Sequence, residues 1–351
     1  MTAKPSKGGP MRTLTYLAAA ALAAGVALLA LMPSESSPAA ATGAGPQDAQ
    51  KAILAAFDRY DVVAGASPND IFLDLIRNPA FPGKADVIAV ECGNSLYQPL
   101  LDRYIAGKDV PLAEVRQVWR NTTQPSCGFS VFYERLFPLV REVNKSLPPA
   151  EKLRVLACDP PIDWSKVTSP EGLAPFEERD RTIAALMRTE VLAKDRKALM
   201  LFGISHLLRG GGSAVAMYEQ QYPGVTYTIA THFGFQKDNE KLEKRLARWP
   251  VPSVVPFAGT WLGQLDASYF ESRPGQPPAA KGYPGADAYL YTGPRALILR
   301  QQIAASAVLD TKYITELRRR AAAVEDPPGG LMHPETFFQR ELESGALEFG
   351  S

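Results

Sequence analysis

The stretch KALMLFGISH, residues 197–206, decides how this chain is read. Five apolar residues in succession, Ala198 to Phe202, carry no polar alternation. A strand of that kind is buried on both faces, as in a parallel sheet covered by helices. Gly203 ends the run, and His206, one of only three histidines in 351 residues, follows three positions later.

Runs of the same character recur along the chain. DVVAG (61–65), DVIAVEC (86–92), LRVLAC (153–158), VTYTIATHF (225–233) and DAYLYTG (287–293) read as strands. Between them lie helical patterns: QDAQKAILAAFDRY, SLYQPLLDRYIAG, PLAEVRQVWRN, VFYERLFPLVREVNKSL, FEERDRTIAALMRTEVLAK and AVAMYEQQYP, with TKYITELRRRAAA near the end. Ser67-Pro68-Asn69-Asp70 reads as a helix start, with Ser67 as N-cap and Pro68 in the first turn. Strands alternating with helices predict an α/β fold of three layers, a central, mostly parallel sheet with helices on both faces. The Pro- and Gly-rich region 249–286 reads as a long excursion holding a short strand.

The first 45 residues are set apart from the fold. Lys4, Lys7 and Arg12 precede an uncharged run from Thr13 to Met32, and Ala39-Ala40-Ala41 offers a small-residue cleavage site. This is a signal peptide or a membrane anchor plus linker, and either one predicts an exported, periplasmic body, held at the inner membrane if the leader is uncleaved. Residues 46–325 form the domain, and 326–351 a C-terminal tail. Net charge is +1 with acid and base interspersed, which predicts no nucleic-acid partner and leaves a small-molecule substrate or ligand. An exported compartment permits disulfides among Cys92, Cys127 and Cys158, and an odd count leaves one thiol over. Cys92 and Cys158 end two strands; if those strands are neighbours, a bridge between them is conceivable, though strained.

Ligands of open α/β sheets bind outside the carboxyl ends of the strands. Three candidate groups stand there: Glu91, Asp159 and His206. Two carboxylates and an imidazole at one edge suit general acid–base chemistry. Arg120 and Arg209 are candidates for binding an anionic part of a substrate. His232 lies within a strand pattern and reads as structural, and His333 as a surface residue. GxSxG, HExxH, P-loop and CxxC motifs are absent, and three histidines make a multi-histidine metal site hard to build. No metal ligands and no cofactor are assigned.

The segments VIAVECGNSLYQPLLDRYIAG, VWRNTTQP, LRVLACDPPIDWSKV, KALMLFGISHLLR and ADAYLYTGPR resemble a group of exported bacterial proteins similar to the erythromycin esterase-like and ChaN–TIKI superfamily. The resemblance spans roughly residues 48–320. It implies an α/β fold with a strand-end site of one glutamate and two GxxH histidines that activates water for hydrolysis, or in other members holds a metal or haem iron. Glu91 matches the glutamate, His206 in Gly203-Ile204-Ser205-His206 the second histidine, and Asp159 and Arg120 polar positions of the group. The first histidine is missing: Tyr60 to Pro68 reads YDVVAGASP, in a loop four or five residues short. Three readings follow: an ester or amide hydrolase using the Glu91/His206 site, a metal- or haem-binding protein of ChaN type, and a member that keeps the fold without the chemistry.

Overall fold

The structure is a computed structural model and describes residues 45–66, 69–232, 240–270, 281–294, 303–327, 330 and 332–343. The described residues belong to one compact unit, 41–351. The leader run, Ser67, Pro68 and the expected Gly/Glu/His loop position after Ala66 lie outside them. Among the described residues no helix is long and apolar enough to cross a membrane.

Eight strands form one sheet: β1 (Gln47–Asp48), β2 (Val62–Ala66), β3 (Val87–Asn94), β4 (Arg154–Asp159), β5 (Ala198–Phe202), β6 (Thr226–Thr231), β7 (Ser253–Pro256) and β8 (Ala288–Tyr291). Their order is β1-β7-β8-β6-β2-β5-β3-β4. Six strands run parallel, and β7 is antiparallel to both β8 and β1. The expected α/β class with a mostly parallel sheet is therefore present. Every residue of β2 and β5 is buried, as unbroken apolar runs require.

The helices are α1 (Ala49–Ala56), α2 (Asp70–Arg77), α3 (Gln98–Ile105), α4 (Leu112–Val115), α5 (Gln117–Arg120), α6 (Val131–Lys145), α7 (Pro170–Leu173), α8 (Arg179–Leu186), α9 (Ala214–Glu219), α10 (Glu240–Leu246), α11 (Ala305–Val308), α12 (Thr311–Ala323) and α13 (Pro334–Glu343). Alternate residues of the strands feed two cores. Val63, Ile88, Val90, Ala157, Leu199 and Leu201 pack with Phe72, Leu136 and Phe137 of α2 and α6. Val62, Ala64, Ala89, Leu156, Met200 and Phe202 pack with Ile183, Ala184, Val215 and Tyr218 of α8 and α9 on the other side. The period of two that sends successive side chains to opposite faces makes both layers from one set of strands.

Several expectations are corrected. The cap of α2 is Asn69, whose side chain accepts from the Ile71 amide at 3.0 Å. The first helix is shorter than expected, because Gln47–Asp48 pairs with β7 and Asp48 caps α1 through the Lys51 amide. The stretch beyond 325 contains α13, whose Phe338 packs at 5.0 Å from Phe129.

The cysteine pairing differs too. Cys92 bonds to Cys127 with a Cα–Cα distance of 5.4 Å, and Cys158 is free and buried. β3 and β4 are indeed neighbours, but Cys158 points into the α8/α9 core whereas Cys92 and Cys127 share the opposite core. The sheet itself stands between the two thiols that the expectation joined.

Candidate functional site

The carboxyl ends of β5, β3 and β4 lie side by side, so Glu91, Asp159 and His206 reach one edge. β3 leaves its ladders just before Glu91. Val90 is its last regular pair with both Leu201 of β5 and Ala157 of β4, and pairing with β4 resumes only at Asn94–Asp159. Glu91, Cys92 and Gly93 occupy this bulge. Gly93 is required there, since a Cβ would sit 2.7 Å from the Ala157 Cα. Bulges of this kind re-aim side chains next to functional sites.

Glu91 turns toward β5. Its Oε2 accepts the Gly203 amide at 2.5 Å, and its Oε1 accepts from Arg179 Nη2 at 3.1 Å. His206 Nε2 lies 3.4 Å from the same Oε1. Burial alone would raise the Glu91 carboxyl. The His206 hydrogen bond, the Arg179 charge and the Gly203 amide outweigh it and hold the group at about 2.

His206 ends the turn Ile204–His206, which folds straight out of β5. Its Nδ1 contacts Asp180 Oδ1 at 2.9 Å. Burial disfavours its charge, but hydrogen bonds to Asp180 and Glu91 and the Glu91 charge raise it to about 9. At neutral pH it is an imidazolium with Nδ1–H donated to Asp180. Asp180 is itself fixed by the Ala214 amide at 2.6 Å, at the first residue of α9.

Asp159 is completely buried. It accepts from the Thr123 amide at 2.6 Å, from the Thr123 hydroxyl at 2.9 Å and from Arg179 Nε at 2.7 Å. Burial pushes its carboxyl up, against the pull of Arg179 and Thr123. With no exposed surface it does not meet a substrate; it holds Arg179.

The cluster therefore turns on Arg179, which sequence reasoning passed over, as it did Asp180 and Thr123. Arg179 is buried, bridges Asp159 and Glu91, and has Nη1 3.4 Å from His206 Nε2. FEERDR, six residues with five charges, reads only as the start of a helix. The one available signal was position: these residues open the helix that follows a strand-end acid.

Arg120 and Arg209 are not brought to this cluster. Arg120 is buried against Asp310 at 2.8 Å, the Ser306 carbonyl at 2.9 Å and the Tyr313 ring. Arg209 pairs with Asp287 at 2.6 Å and Glu219 at 3.3 Å. Its other partner is the Thr226 carbonyl, so its contacts lie near the starts of β6 and β8 rather than at strand carboxyl ends. Both arginines are spent on internal ion pairs.

His232, at the end of β6, is fully buried between the Tyr289 hydroxyl and Glu243, each at 2.5 Å. His333 hydrogen-bonds the Asp326 carbonyl at 3.0 Å. Among the described residues no group of three His, Cys, Asp or Glu side chains is placed to hold a metal ion.

The chemistry open to the edge is thus that of one ionised carboxylate, one guanidinium and one imidazolium. Their side chains keep 17% (Glu91) and 10% (Arg179 and His206) of their surface exposed, so water reaches the Glu91 end of the cluster.

No family model matches the chain, and no curated protein matches it. In shape it is similar to the crystal structure of a protein from Bacillus cereus, at 11% identity over 70% of this chain and 91% of that one, with a TM-score of 0.43. A likeness at that level carries no argument about chemistry.

Proposed function

We propose that the chain is an exported hydrolase of small-molecule ester or amide bonds, of the erythromycin esterase-like type. The observation that supports this reading is the meeting of Arg179 and His206 on one oxygen of Glu91, at 3.1 and 3.4 Å, on the edge where α/β sheets take ligands. The Cys92–Cys127 bridge fits an oxidising compartment.

In this mechanism Glu91, ionised at every physiological pH, takes a proton from the attacking water as its oxygen bonds to the carbonyl carbon, and returns that proton to His206 Nε2, 3.4 Å away, once the leaving group has departed. The 3.4 Å contact from His206 Nε2 is long, so that N–H is weakly engaged by Glu91 and can be shared with a substrate atom beside it. His206 then protonates the departing oxygen or nitrogen, and the Arg179 guanidinium stabilises the negative charge that develops on the carbonyl oxygen. Asp180 keeps the imidazole oriented with Nε2 toward Glu91. The reaction slows as pH rises through about 9, where His206 loses its proton.

The test is hydrolysis of an ester and amide panel by the wild type, His206→Ala, Glu91→Gln and Arg179→Met. Each substitution is expected to lower kcat by about 10²–10⁴. Equal rates for wild type and His206→Ala would remove His206 from the reaction.

One observation favours a second reading, in which the cluster only holds the fold together: both His206 nitrogens already face carboxylates and both Glu91 oxygens already accept N–H groups within the chain. That reading expects lost stability in the same variants and no turnover of any panel member by the wild type.

A further inference from the structure

Glu91 is poorly fixed by its own strand. From Glu91 to Gly93, β3 has no register partner on β5 or β4, so the ladder that orders Ala89 and Val90 does not order the carboxylate. Besides the partners of the Glu91 carboxylate and a hydrogen bond between Tyr133 and the Cys92 backbone, three contacts pin the bulge. Asn94, fully buried, donates to the Asn121 carbonyl at 2.6 Å and the Ile162 carbonyl at 2.8 Å. Gly93 rests on Ala157. The residue adjoining Glu91 is Cys92, and it is bonded covalently to Cys127.

The far end of the bridge is firmly held. Cys127 lies in the turn Pro125–Phe129, and the Phe129 carbonyl accepts the Ala304 amide at 2.7 Å. Gly128 is so close to Tyr313 of α12 that a Cβ would overlap its hydroxyl. The same segment reaches the cluster by a second route, since Thr123 fixes Asp159 and Asp159 fixes Arg179.

We propose that the Cys92–Cys127 bridge positions Glu91, so that the Glu91–Arg179–His206 cluster assembles only in the oxidised chain. As regulation of hydrolysis this rests on the function proposed above; as a statement about assembly it does not. Closing the bridge takes two protons and two electrons from the Cys92 and Cys127 thiols, and the electrons reduce the disulfide of a thiol–disulfide oxidant to two thiols. Before that exchange the bulge is free to relax, Glu91 leaves the Gly203 amide, and His206 keeps only Asp180. The chain is then latent in reducing surroundings. Cys92 and Cys127 act as positioning residues and touch no substrate.

The readouts are local and independent of turnover. The chain has three histidines, so the imidazole signals of His206, His232 and His333 are separable by NMR. In folded Cys92→Ser/Cys127→Ser protein the His206 midpoint is expected to fall from about 9 toward 6.5. Exchange of the Gly203 amide is expected to quicken at least about tenfold while β5 amides keep their protection. The His232 and His333 signals hold their positions. In a Glu91→Gln background, removing the bridge shifts His206 no further.

An unchanged His206 midpoint and Gly203 protection in the folded, bridge-free chain would overturn the proposal and leave the disulfide a plain staple. Should the serine variant not fold, Cys92→Ala/Cys127→Val keeps more of the apolar volume and carries the same measurements. A chain that cannot fold without the bridge would move all three histidines together, which overturns a local role. If the NMR shifts appear but no ester or amide is hydrolysed, the assembly proposal stands and the functional reading fails.

Discussion

At the scale of single residues, the site is governed by an arginine rather than by the histidine that first draws notice. Arg179 is the common partner of a fully buried aspartate and a mostly buried glutamate. Removing one member of a buried ionic group leaves the others uncompensated, which costs about 3–5 kcal/mol. Arg179→Met is therefore expected to lower stability by that amount, measured by urea denaturation at pH 7. A loss under 1 kcal/mol would mean that solvent already shares the load. His206 gives a pH dependence with a definite sign. Its folded value of about 9 lies above the ordinary 6.5, so its stabilisation is complete below 6.5 and disappears as pH rises through 9. The shift corresponds to roughly 3 kcal/mol. Glu91, lowered from 4.5 to about 2, works the other way: its contribution is present above 4.5 and lost as pH falls through 2. The two share one contact, so they do not add. The wild type should lose stability relative to His206→Ala between pH 6.5 and 9, and parallel curves for the two proteins would contradict the pairing.

At the scale of elements, two features place these residues: the bulge of β3 and the first turn of α8. Arg179 and Asp180 are consecutive on α8 and grip opposite sides of the cluster, one the carboxylates and the other His206. Asp180→Asn keeps an oxygen for the Ala214 amide but removes the charge facing His206. Its His206 midpoint by NMR should fall below the wild-type value with little change in fold. An unmoved midpoint would show that Glu91 alone holds the proton. β2 and α2 illustrate how packing sets a residue type. A Cβ on Gly65 would lie 2.2 Å from the buried Phe72 ring, so Gly65→Ala forces that ring to shift. The expected cost is about 1–3 kcal/mol by denaturant titration, the range for overfilled cores.

What was legible in the sequence follows the same division. Apolar runs announced β2 to β6 and β8 because a strand buried on both faces needs little else. β7 was legible only as an unplaced short strand within 249–286, and β1 not at all, because at four and two residues they are too short for any period to show. Glu91, Asp159 and His206 were legible because strand carboxyl ends are predictable places. Arg179 and Thr123 were not, since their contacts with Asp159 span 20 and 36 residues and depend on strand order.

At the scale of the whole molecule, the order β5-β3-β4 turns separate sequence segments into one site, and the disulfide ties that edge to the layer below. The cysteines show why strand order alone did not decide the pairing. Cys92 and Cys158 stand on adjacent strands, yet the strand's alternation sends them to different cores, while Cys127, from a turn, comes up beneath Cys92. Oxidised protein unfolded without reductant should therefore show one free thiol, that of Cys158, and three after reduction; three without reductant would exclude the bridge. The energetic consequence belongs to the whole chain, because a cross-link acts largely on the unfolded ensemble. Cys92 and Cys127 are 35 residues apart, and closing a loop of that length corresponds to about 4 kcal/mol in the chain-entropy account. That segment also contains α3, α4, α5 and the Asn94 and Thr123 anchors, so a reduced chain must order them with no covalent help. The bridge-free variant should unfold at lower urea with a steeper or equal slope, since its denatured state is the more open one. A lower midpoint with a clearly shallower slope would instead mean that the loosening in the native state extends beyond the Glu91–Gly93 bulge, with a large part of the β3 edge opening before global unfolding.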